Sequence, residues 1–222
     1  MLERTPEPEL MNDVEQAFAY STADFSQSHD FFCEVSEKVF PLMFSGHVID
    51  LGCGPADVLV RFARRFSRCS VTGVDGAQEM LKLGQVRIDE AGLLHRVVLK
   101  KSMISSPTLV GPFDGVISNS LLHHLRAPMD LWQTIHRVCR LGGPVCVMDL
   151  YRPHSLSELD DKVRCYADDA PDVLKRDFRA SLHAAYTVEE ISEQLNRAQL
   201  TNLQVEIVSD LHVAIWGTMT PA

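Results

Sequence analysis

Short apolar runs alternate with longer segments of helical periodicity through the middle of the chain. The runs that predict strands lie at residues 47–51, 70–75, 97–99, 113–118 and 145–150. The segments with helical spacing lie at residues 57–67, 77–91 and 129–139. This alternation predicts a parallel sheet with helices on both faces. Right-handed crossovers would place the carboxyl ends of the strands on one rim, where such sheets bind ligands.

The N-terminal flank carries a helical pattern of its own. After a loose arm at residues 1–13, apolar side chains recur at helical spacing as far as residue 44. We expect one or two helices in this part, the second capped by Ser26 or Ser28. Residues 1–44 would therefore form an N-terminal arm and cap helices outside the main domain.

The C-terminal flank is predicted to hold a helical lid and two further strands. Charged residues 152–186 interrupt the alternation with a helical pattern, and the next helix begins with a capping box at Thr187. Residues 203–208 and 212–216 are separated by a turn, which predicts an antiparallel pair at the end of the sheet. The main domain would then span residues 45–222, with the lid at about 152–186.

The size and charge of the chain narrow the choice of partners. Its 222 residues suit one α/β domain, and its formal net charge is -9 with a pI of about 5.4. A negatively charged protein gains no long-range attraction to phosphate backbones, which disfavours nucleic acid as a partner. We interpret the local basic run, which has helical spacing, as a solvated helix face. It consists of Arg61, Arg64, Arg65 and Arg68.

Cysteine usage and hydropathy indicate the compartment. The six cysteines include no Cys-x-x-Cys pair and no Cys/His spacing of a zinc site. Unpaired thiols within apolar patterns suit a reducing cytoplasm. The N-terminus is acidic and contains prolines, without the apolar core of a signal peptide, and no apolar run approaches the length that spans a bilayer. We therefore expect a cytoplasmic protein with no membrane partner.

Two motifs at the predicted carboxyl rim carry candidate chemistry. The first strand runs through Asp50 into the turn Gly52-Cys53-Gly54, where glycines allow the backbone to approach a ligand closely. Asp75 ends the second strand, where an acid in such sheets binds the ribose hydroxyls of an adenosine. The alternative is that Asp75 only caps the helix that follows.

With these motifs the sequence resembles the class I S-adenosylmethionine-dependent methyltransferases, a Rossmann-like family, and in particular those that act on small molecules. Further matches are Phe113-Asp114 at strand four, His123-His124-Leu125 after it, and residues 137–143 before strand five. Asp50 separates this family from NAD-dependent dehydrogenases, because an acid is unfavourable beside a pyrophosphate but suits a cationic sulfonium ligand. The similarity is strong over residues 48–150.

The resemblance implies a fold, a cofactor and a cofactor site. The fold is a seven-stranded, mostly parallel, doubly wound sheet with an antiparallel last strand; the cofactor is S-adenosylmethionine, with S-adenosylhomocysteine as product. The implied cofactor-binding residues are Asp50, Gly52, Cys53, Gly54, Asp75, Gly76, Met80, Ser102, Met103 and Asn119. Ser102 stands where the family often has an acid for the adenine amine. Ala56 replaces a third glycine of the family, and we expect this small residue to be tolerated.

The acceptor side is less defined. His124, Asp149 and Tyr151 are the candidate catalytic residues, because they follow or end strands four and five on the ligand rim. The alternative for each is structural, namely loop ordering, helix capping or packing. No metal is expected, since no carboxylate stands at ligand spacing from the adjacent histidines. By family architecture, the lid would lie above the acceptor pocket, and an N-terminal helix would close over the cofactor.

These features predict in-line methyl transfer to a small-molecule acceptor by a monomer or homodimer. One alternative is a non-catalytic regulator or partner subunit that binds S-adenosylmethionine or S-adenosylhomocysteine on the same fold. A spermidine-synthase-like transferase would need an acidic polyamine pocket after strand four, which residues 118–124 do not supply. A dehydrogenase is disfavoured by Asp50 and by the glycine spacing.

Overall fold

The computed structural model describes residues 2–7, 10 and 12–221, in which seven strands form one sheet. The strands are β1 (Gly46–Leu51), β2 (Cys69–Asp75), β3 (Val97–Lys101), β4 (Gly115–Asn119), β5 (Pro144–Leu150), β6 (Gln204–Ile207) and β7 (His212–Thr218). Their order across the sheet is β3-β2-β1-β4-β5-β7-β6, and β7 runs antiparallel to both of its neighbours. The predicted doubly wound sheet with an antiparallel last strand is therefore confirmed.

Helices precede the sheet and cover both of its faces. They are α1 (Val14–Thr22), α2 (Ser26–Ser36), α3 (Asp57–Arg65), α4 (Gln78–Glu90), α5 (Met129–Val138), α6 (Leu156–Ala167), α7 (Asp172–Ala184) and α8 (Val188–Arg197). A single 3-10 turn, Leu122–His124, follows β4. Among the residues that the structure describes, no helix combines the length and the apolar character needed to cross a bilayer.

Burial follows the apolar pattern of each element. Helix α5 buries Leu131, Trp132, Ile135 and Val138, which share one face at helical spacing. Strand β5 is buried at all of its positions, because it lies between β4 and β7 with helices on both faces. One core packs α2, α3 and α4 against the sheet, and a second packs α5 and α8 against its other face.

Helix starts show where the sequence prediction held and where it failed. Thr187 caps α8 as predicted, since its hydroxyl accepts from the Glu190 amide at 3.2 Å and the Glu190 carboxylate accepts from the Thr187 amide at 2.9 Å. The predicted serine cap of α2 is wrong. Ser26 is already the first helical residue, and Phe25 occupies the cap position without a side-chain hydrogen bond.

The basic run on α3 faces α2 as well as solvent. Arg61 pairs with Asp30 at 2.5 Å and with Asp57 at 3.1 Å, and Arg65 pairs with Glu37. Acidic partners therefore neutralise half of this run, which weakens further any attraction to phosphate backbones.

The strand order fixes the position of a ligand site. Strand β1 pairs with β2 on one side and with β4 on the other, so successive crossovers leave the centre of the sheet in opposite directions. A crevice opens outside the carboxyl ends of the strands at such a reversal, and α/β sheets bind ligands there. The residues after β1, β2 and β4 surround this point.

Candidate active site

A cleft opens at the reversal of strand order, and we call it the switch-point cleft. The space between its walls, counted together with the open solvent at its mouth, is about 930 Å³. The sequence-predicted site residues that line it are Asp50, Gly52, Cys53, Gly54, Asp75, Gly76, Met80, Met103, Asn119 and His124. Ser102, Asp149 and Tyr151 do not line it.

The turn after β1 brings backbone close to the cleft. Gly52 and Gly54 have φ angles of 76° and 50°, which glycine adopts without strain. The amides of Gly52 and Cys53 both donate to the Val74 carbonyl, at 2.8 and 3.0 Å, which ties the turn to β2. A Cβ atom built on Gly54 meets nothing within 4 Å. This glycine therefore leaves open space where a side chain would stand.

Asp50 is a buried acid without a partner for one oxygen. Its exposed fraction is 2 %, and Oδ2 has no hydrogen-bond partner within the described part of the chain. Burial, with the nearby negative charge of Asp75, raises the pKa of Asp50 to about 8. A charged carboxylate in such a place is unfavourable unless a cation or donor approaches it. The cleft wall is therefore prepared for a positively charged ligand group.

Asp75 holds the rim at the end of β2. Its Oδ2 accepts from the Gly54 amide at 2.8 Å, and its Oδ1 accepts from the Ala77 amide at 2.7 Å. Burial raises the pKa of Asp75 even though these amides favour its charged form. Each carboxylate oxygen can accept a second hydrogen bond, so capping of α4 and ligand binding are compatible roles.

Asn119 places a second unpartnered oxygen in the cleft. Its Nδ2 donates to the Ser120 hydroxyl at 3.1 Å, whereas Oδ1 is buried and accepts no hydrogen bond from the residues described. Buried amide oxygens are normally paired in native proteins, so a lone one at a cleft wall indicates a position for a ligand donor.

Near the predicted adenine end, two neighbouring residues behave differently. Met103 lines the cleft, and a Cβ on Gly76 would lie 2.7 Å from its sulfur, so a side chain at this position would displace the end of Met103. Ser102 points elsewhere: its hydroxyl donates to the Met103 carbonyl at 3.0 Å, and its amide donates to the Asp75 carbonyl at 3.0 Å. Ser102 thus touches the site through its backbone link to Asp75.

The N-terminal helices form one wall of the cleft. Tyr20 from α1 and His29 from α2 line it, together with Asp57 at the start of α3. His29 Nδ1 lies 2.6 Å from Asp57 Oδ2. Burial favours the neutral form of Asp57, but the hydrogen bond from His29 and the charge of Arg61 lower its pKa to about 2. This pair fixes α2 against α3 beside the cleft.

Asp149 organises the turn that carries the two histidines. It is 1 % exposed and accepts from the Leu122 amide at 2.6 Å, the Leu150 amide at 2.7 Å and His123 Nδ1 at 2.5 Å. Burial alone would raise the pKa of Asp149, but the charge and hydrogen bond of His123 hold it below its usual value. Tyr151 lies farther along the chain, where its backbone bridges to Tyr186 and its ring lies 5.7 Å from Lys162 Nζ.

A second cleft adjoins the first, between the N-terminal arm, α1 and α7; we call it the arm cleft. Its walls include Glu7, Asp13, Gln16, Arg176 and Asp177. His124 lines both clefts. The turn after β4, together with Leu10 of the N-terminal arm, therefore lies between the two clefts.

Comparison with known proteins identifies the chain. Residues 48–143 match the model of a methyltransferase domain, and this stretch contains the Gly52–Gly54 turn, Asp75 and the His123-His124 pair. This matched domain, together with the fold, supports a class I S-adenosylmethionine-dependent methyltransferase. The family assignment made from the sequence is thus confirmed.

The bacterial proteins similar to this chain include methyltransferases of different activities. A demethylmenaquinone methyltransferase of Listeria welshimeri is 28% identical over 118 residues, which are 53% of this chain and 50% of that protein. The chain thus spans about half the length of that relative. A malonyl-[acyl-carrier protein] O-methyltransferase of Geobacter sulfurreducens is 25% identical over 197 residues, 86% of this chain and 71% of that protein.

A solved structure shows the same methyltransferase fold. The S-adenosylmethionine-dependent methyltransferase of Aquifex aeolicus superposes with a TM-score of 0.68, over 94% of this chain and 99% of that one, at 18% sequence identity. At this level of identity the likeness supports the fold. The side chains of the two clefts therefore determine which chemistry the site can perform.

The switch-point cleft suits the cofactor of this methyltransferase family. S-adenosylmethionine carries a sulfonium and an ammonium group, which are partners of the kind that Asp50 Oδ2 and Asn119 Oδ1 lack among the residues described. Asp75 retains acceptor capacity, and Gly54 leaves its side-chain space open. The residues present therefore fit the cofactor at its charged end.

Sequence reasoning missed several side chains at the site, some beside the glycine turn and some from the N-terminal arm. Leu10, Pro55 and Asp57 line the switch-point cleft, and Glu7 reaches the histidines: its Oε1 lies 3.1 Å from His124 Nδ1 and 3.4 Å from His123 Nε2. The premise that no carboxylate accompanies the adjacent histidines is therefore wrong in the fold. No spacing rule could have found Glu7, because it lies on an irregular segment far from them in the sequence.

Proposed function

We propose that this methyltransferase transfers the methyl group of S-adenosylmethionine to a small-molecule acceptor bound in the arm cleft. The observation that carries the proposal is the pair of adjoining clefts, one with an unpartnered buried acid at the family's cofactor position, joined at His124. The relatives named above act in quinone and acyl-carrier chemistry, which supports an acceptor other than nucleic acid. The acidic walls of the arm cleft support the same choice.

In this proposal the cleft residues bind and align the two reactants. Asp50 and Asn119 would hold the charged amino-acid end of the cofactor, Asp75 the ribose, and Met80 with Met103 the adenosine. The cofactor supplies an activated methyl group on its sulfonium. Alignment in a site that excludes water lowers the barrier, because oriented partners gain several kcal/mol, roughly 7–11 in ideal cases.

We assign different parts to the three candidate catalytic residues. His124 lines both clefts and would orient the acceptor or take its proton. Asp149 would act as a positioning residue, since it holds the turn of His124 through its backbone contacts and His123. Tyr151 lies outside both clefts and would pack beneath the lid.

We further propose that the N-terminal segment and the helices after β5 act as cap and lid. Gln16 from α1 donates to Asp177 from α7 at 2.8 Å, so these two helices meet over the arm cleft. Because each helix belongs to a segment outside the alternating core, their separation would open the acceptor space without disturbing the sheet. The described residues of the segment 1–44 and the lid at about 152–186 would then move, while the rest of the domain at 45–222 stays fixed.

Calorimetric titration of the purified chain with S-adenosylmethionine, S-adenosylhomocysteine and NAD tests the cofactor part. We expect binding of both sulfur compounds at one site and no binding of NAD, because Asp50 would face a pyrophosphate unfavourably. An assay of labelled methyl incorporation into quinol, acyl-thioester and amine acceptors then tests transfer. Binding of the sulfur compounds without transfer to any small acceptor would favour a non-catalytic regulator, and binding of NAD alone would contradict the proposal.

A further inference from the structure

Three side chains with metal-ligating atoms converge where the N-terminal arm meets the turn after β4. The side-chain donor atoms of Glu7, His123 and His124 all lie within 4.8 Å of one another. Glu7 Oε1 is 3.4 Å from His123 Nε2 and 3.1 Å from His124 Nδ1. Donor atoms that surround one zinc ion tetrahedrally at bond lengths of about 2.0–2.1 Å stand about 3.3–3.4 Å apart. The cluster therefore has the dimensions of a metal-binding triad.

The two histidines approach Glu7 closely, but neither meets it in a well-formed hydrogen bond. His124 Nδ1 is buried and makes no hydrogen bond to any residue described, although it approaches the Glu7 carboxylate closely. The contact between His123 Nε2 and Glu7 is longer than an ordinary N–H···O bond. A buried ring nitrogen without a hydrogen bond is uncommon and calls for a ligand that satisfies it.

Second contacts hold two of the ligands, His123 and Glu7, and also the turn that carries His124. Asp149 accepts from His123 Nδ1 at 2.5 Å, which fixes the ring and leaves Nε2 facing Glu7. Ser181 donates to Glu7 Oε1 at 3.2 Å. Arg4 donates to the carbonyls of His123 and Leu125, at 2.9 and 3.1 Å, and fixes the turn itself. A carboxylate behind a histidine is the usual outer contact of a metal-binding imidazole.

The cluster also has a route to solvent. Glu7 and His124 both line the arm cleft, whereas His123 lies behind them at 3 % exposure. Three protein ligands with an open side are typical of catalytic zinc sites, and closed four-ligand sets are typical of structural ones. An ion held here would thus face the space in which we place the acceptor.

We propose that Glu7, His123 and His124 bind one divalent transition-metal ion, with zinc as the best fit. Two imidazoles and one carboxylate are borderline ligands that suit zinc and cobalt better than magnesium or calcium. This site goes beyond the proposed methyl transfer and does not depend on it. With the ion bound, His124 would orient the acceptor through the metal and would not take its proton. A zinc ion there would polarise an oxygen of the acceptor and lower the pKa of a hydroxyl.

Metal titration of the full chain tests the site without cofactor or acceptor. The protein is stripped with a chelator and titrated with Zn²⁺ by calorimetry and with Co²⁺ by visible absorption, which reports coordination geometry. We expect one ion per chain, a tetrahedral Co²⁺ spectrum, and competition between the two metals. Absence of stoichiometric binding in the wild-type chain would overturn the proposal.

Substitutions locate the ion. Glu7→Gln keeps the shape and its contact with Ser181 but removes the charge, and His124→Ala removes the unpaired nitrogen; each should weaken Zn²⁺ binding at least about 100-fold, more than the loss of an outer contact. Matched controls are His95→Ala and Cys165→Ser, which alter exposed residues outside the cluster. These should leave affinity unchanged. Loss of binding in a control, or its survival in both cluster variants, would mean adventitious binding only. Circular dichroism confirms folding of every variant.

Discussion

The switch-point cleft and the arm cleft touch at His124 but are built in different ways. Asp50, the glycine turn and Asp75 are placed by strands β1 and β2 and the loops that directly follow them. The arm cleft joins the N-terminal segment, the turn after β4 and α7, which meet only in the folded chain. The switch-point cleft is thus encoded by local motifs, and the arm cleft by tertiary contacts.

Removal of Arg4 should damage the arm side alone. Its guanidinium donates to the carbonyls of Ala184, His123 and Leu125 and lies 4.0 Å from the ring of Tyr186. Arg4→Ala should therefore lower the free energy of unfolding by about 3 kcal/mol, the upper range for charged hydrogen bonds with an added cation–π contact. Urea unfolding measures this loss.

Cofactor affinity of the same variant tests whether the switch-point cleft is affected as well. Affinity for S-adenosylmethionine should change by no more than about twofold in Arg4→Ala, since Arg4 holds only the turn at the edge of this cleft and makes no hydrogen bond to Asp50, Asp75 or Asn119. Arg64→Ala, an exposed arginine of α3, is the control and should change stability by less than about 0.5 kcal/mol. A parallel collapse of cofactor affinity in Arg4→Ala would show that the two sides are not separately built.

A substitution of Asp50 perturbs the switch-point cleft in place of the arm cleft. Asp50→Asn should weaken S-adenosylmethionine binding by about 2 kcal/mol, or about 30-fold, because a hydrogen bond to a charged group is lost. The same change should stabilise the free protein relative to wild type increasingly as the pH rises above about 3.8, and most above about 8, where the buried wild-type carboxylate is charged and unpartnered. Calorimetry and thermal unfolding measure the two effects. Weaker binding together with lower stability would instead assign Asp50 a structural role.

The pH dependence of cofactor binding sharpens this point. In the free protein the pKa of Asp50 is raised to about 8 by burial and by Asp75, so the acid carries a proton near neutral pH. A cationic ligand prefers the carboxylate and displaces that proton. Affinity should therefore rise with pH by up to about tenfold per unit and level off above about 8. Asp50→Asn should remove the slope, and a slope that survives in this variant would exclude Asp50 as its source.

The stability of the free protein should fall with rising pH, whereas cofactor affinity should rise. A raised acid pKa in the folded state stabilises the free protein most below the ordinary value of 3.8. This contribution is lost progressively as the pH rises towards about 8. Cofactor affinity and the stability of the free protein should thus change in opposite directions over the same pH range.

The two clefts also explain what the sequence could and could not predict. Strand, turn and helix follow one another at Gly52–Gly54, so local pattern was enough to place Asp50 and Asp75 in the cleft. Glu7 and Arg4 act on the turn of His123 and His124 through contacts across more than half of the chain, and no local rule describes such pairs. Ser102 shows the converse failure. It follows the end of β3, where the motif puts it, but its hydroxyl donates to the Met103 carbonyl and does not line the cleft.

Ala56 stands where the family usually has a glycine, and its substitution should change stability least of all the variants. This residue has a φ of 62°, a left-handed conformation that costs an L-residue roughly 1–2 kcal/mol. Ala56→Gly removes that strain but also loses a buried methyl group, about 0.8 kcal/mol, and adds unfolded-state entropy of about 0.5–1 kcal/mol. We therefore expect a stability change within about 0.5 kcal/mol and unaltered cofactor affinity.

The matched control for Ala56→Gly is the same substitution about two turns further along, inside α3. Ala63 is equally buried but lies inside the helix, so Ala63→Gly loses the methyl group and helix propensity without any relief of strain. It should destabilise the protein by about 1.8 kcal/mol, as measured by urea unfolding. An equal loss in both variants would mean that the left-handed start of α3 carries no strain. A loss in Ala63→Gly alone would mean that the turn beside the cofactor accommodates alanine in place of glycine because its packing offsets its backbone strain.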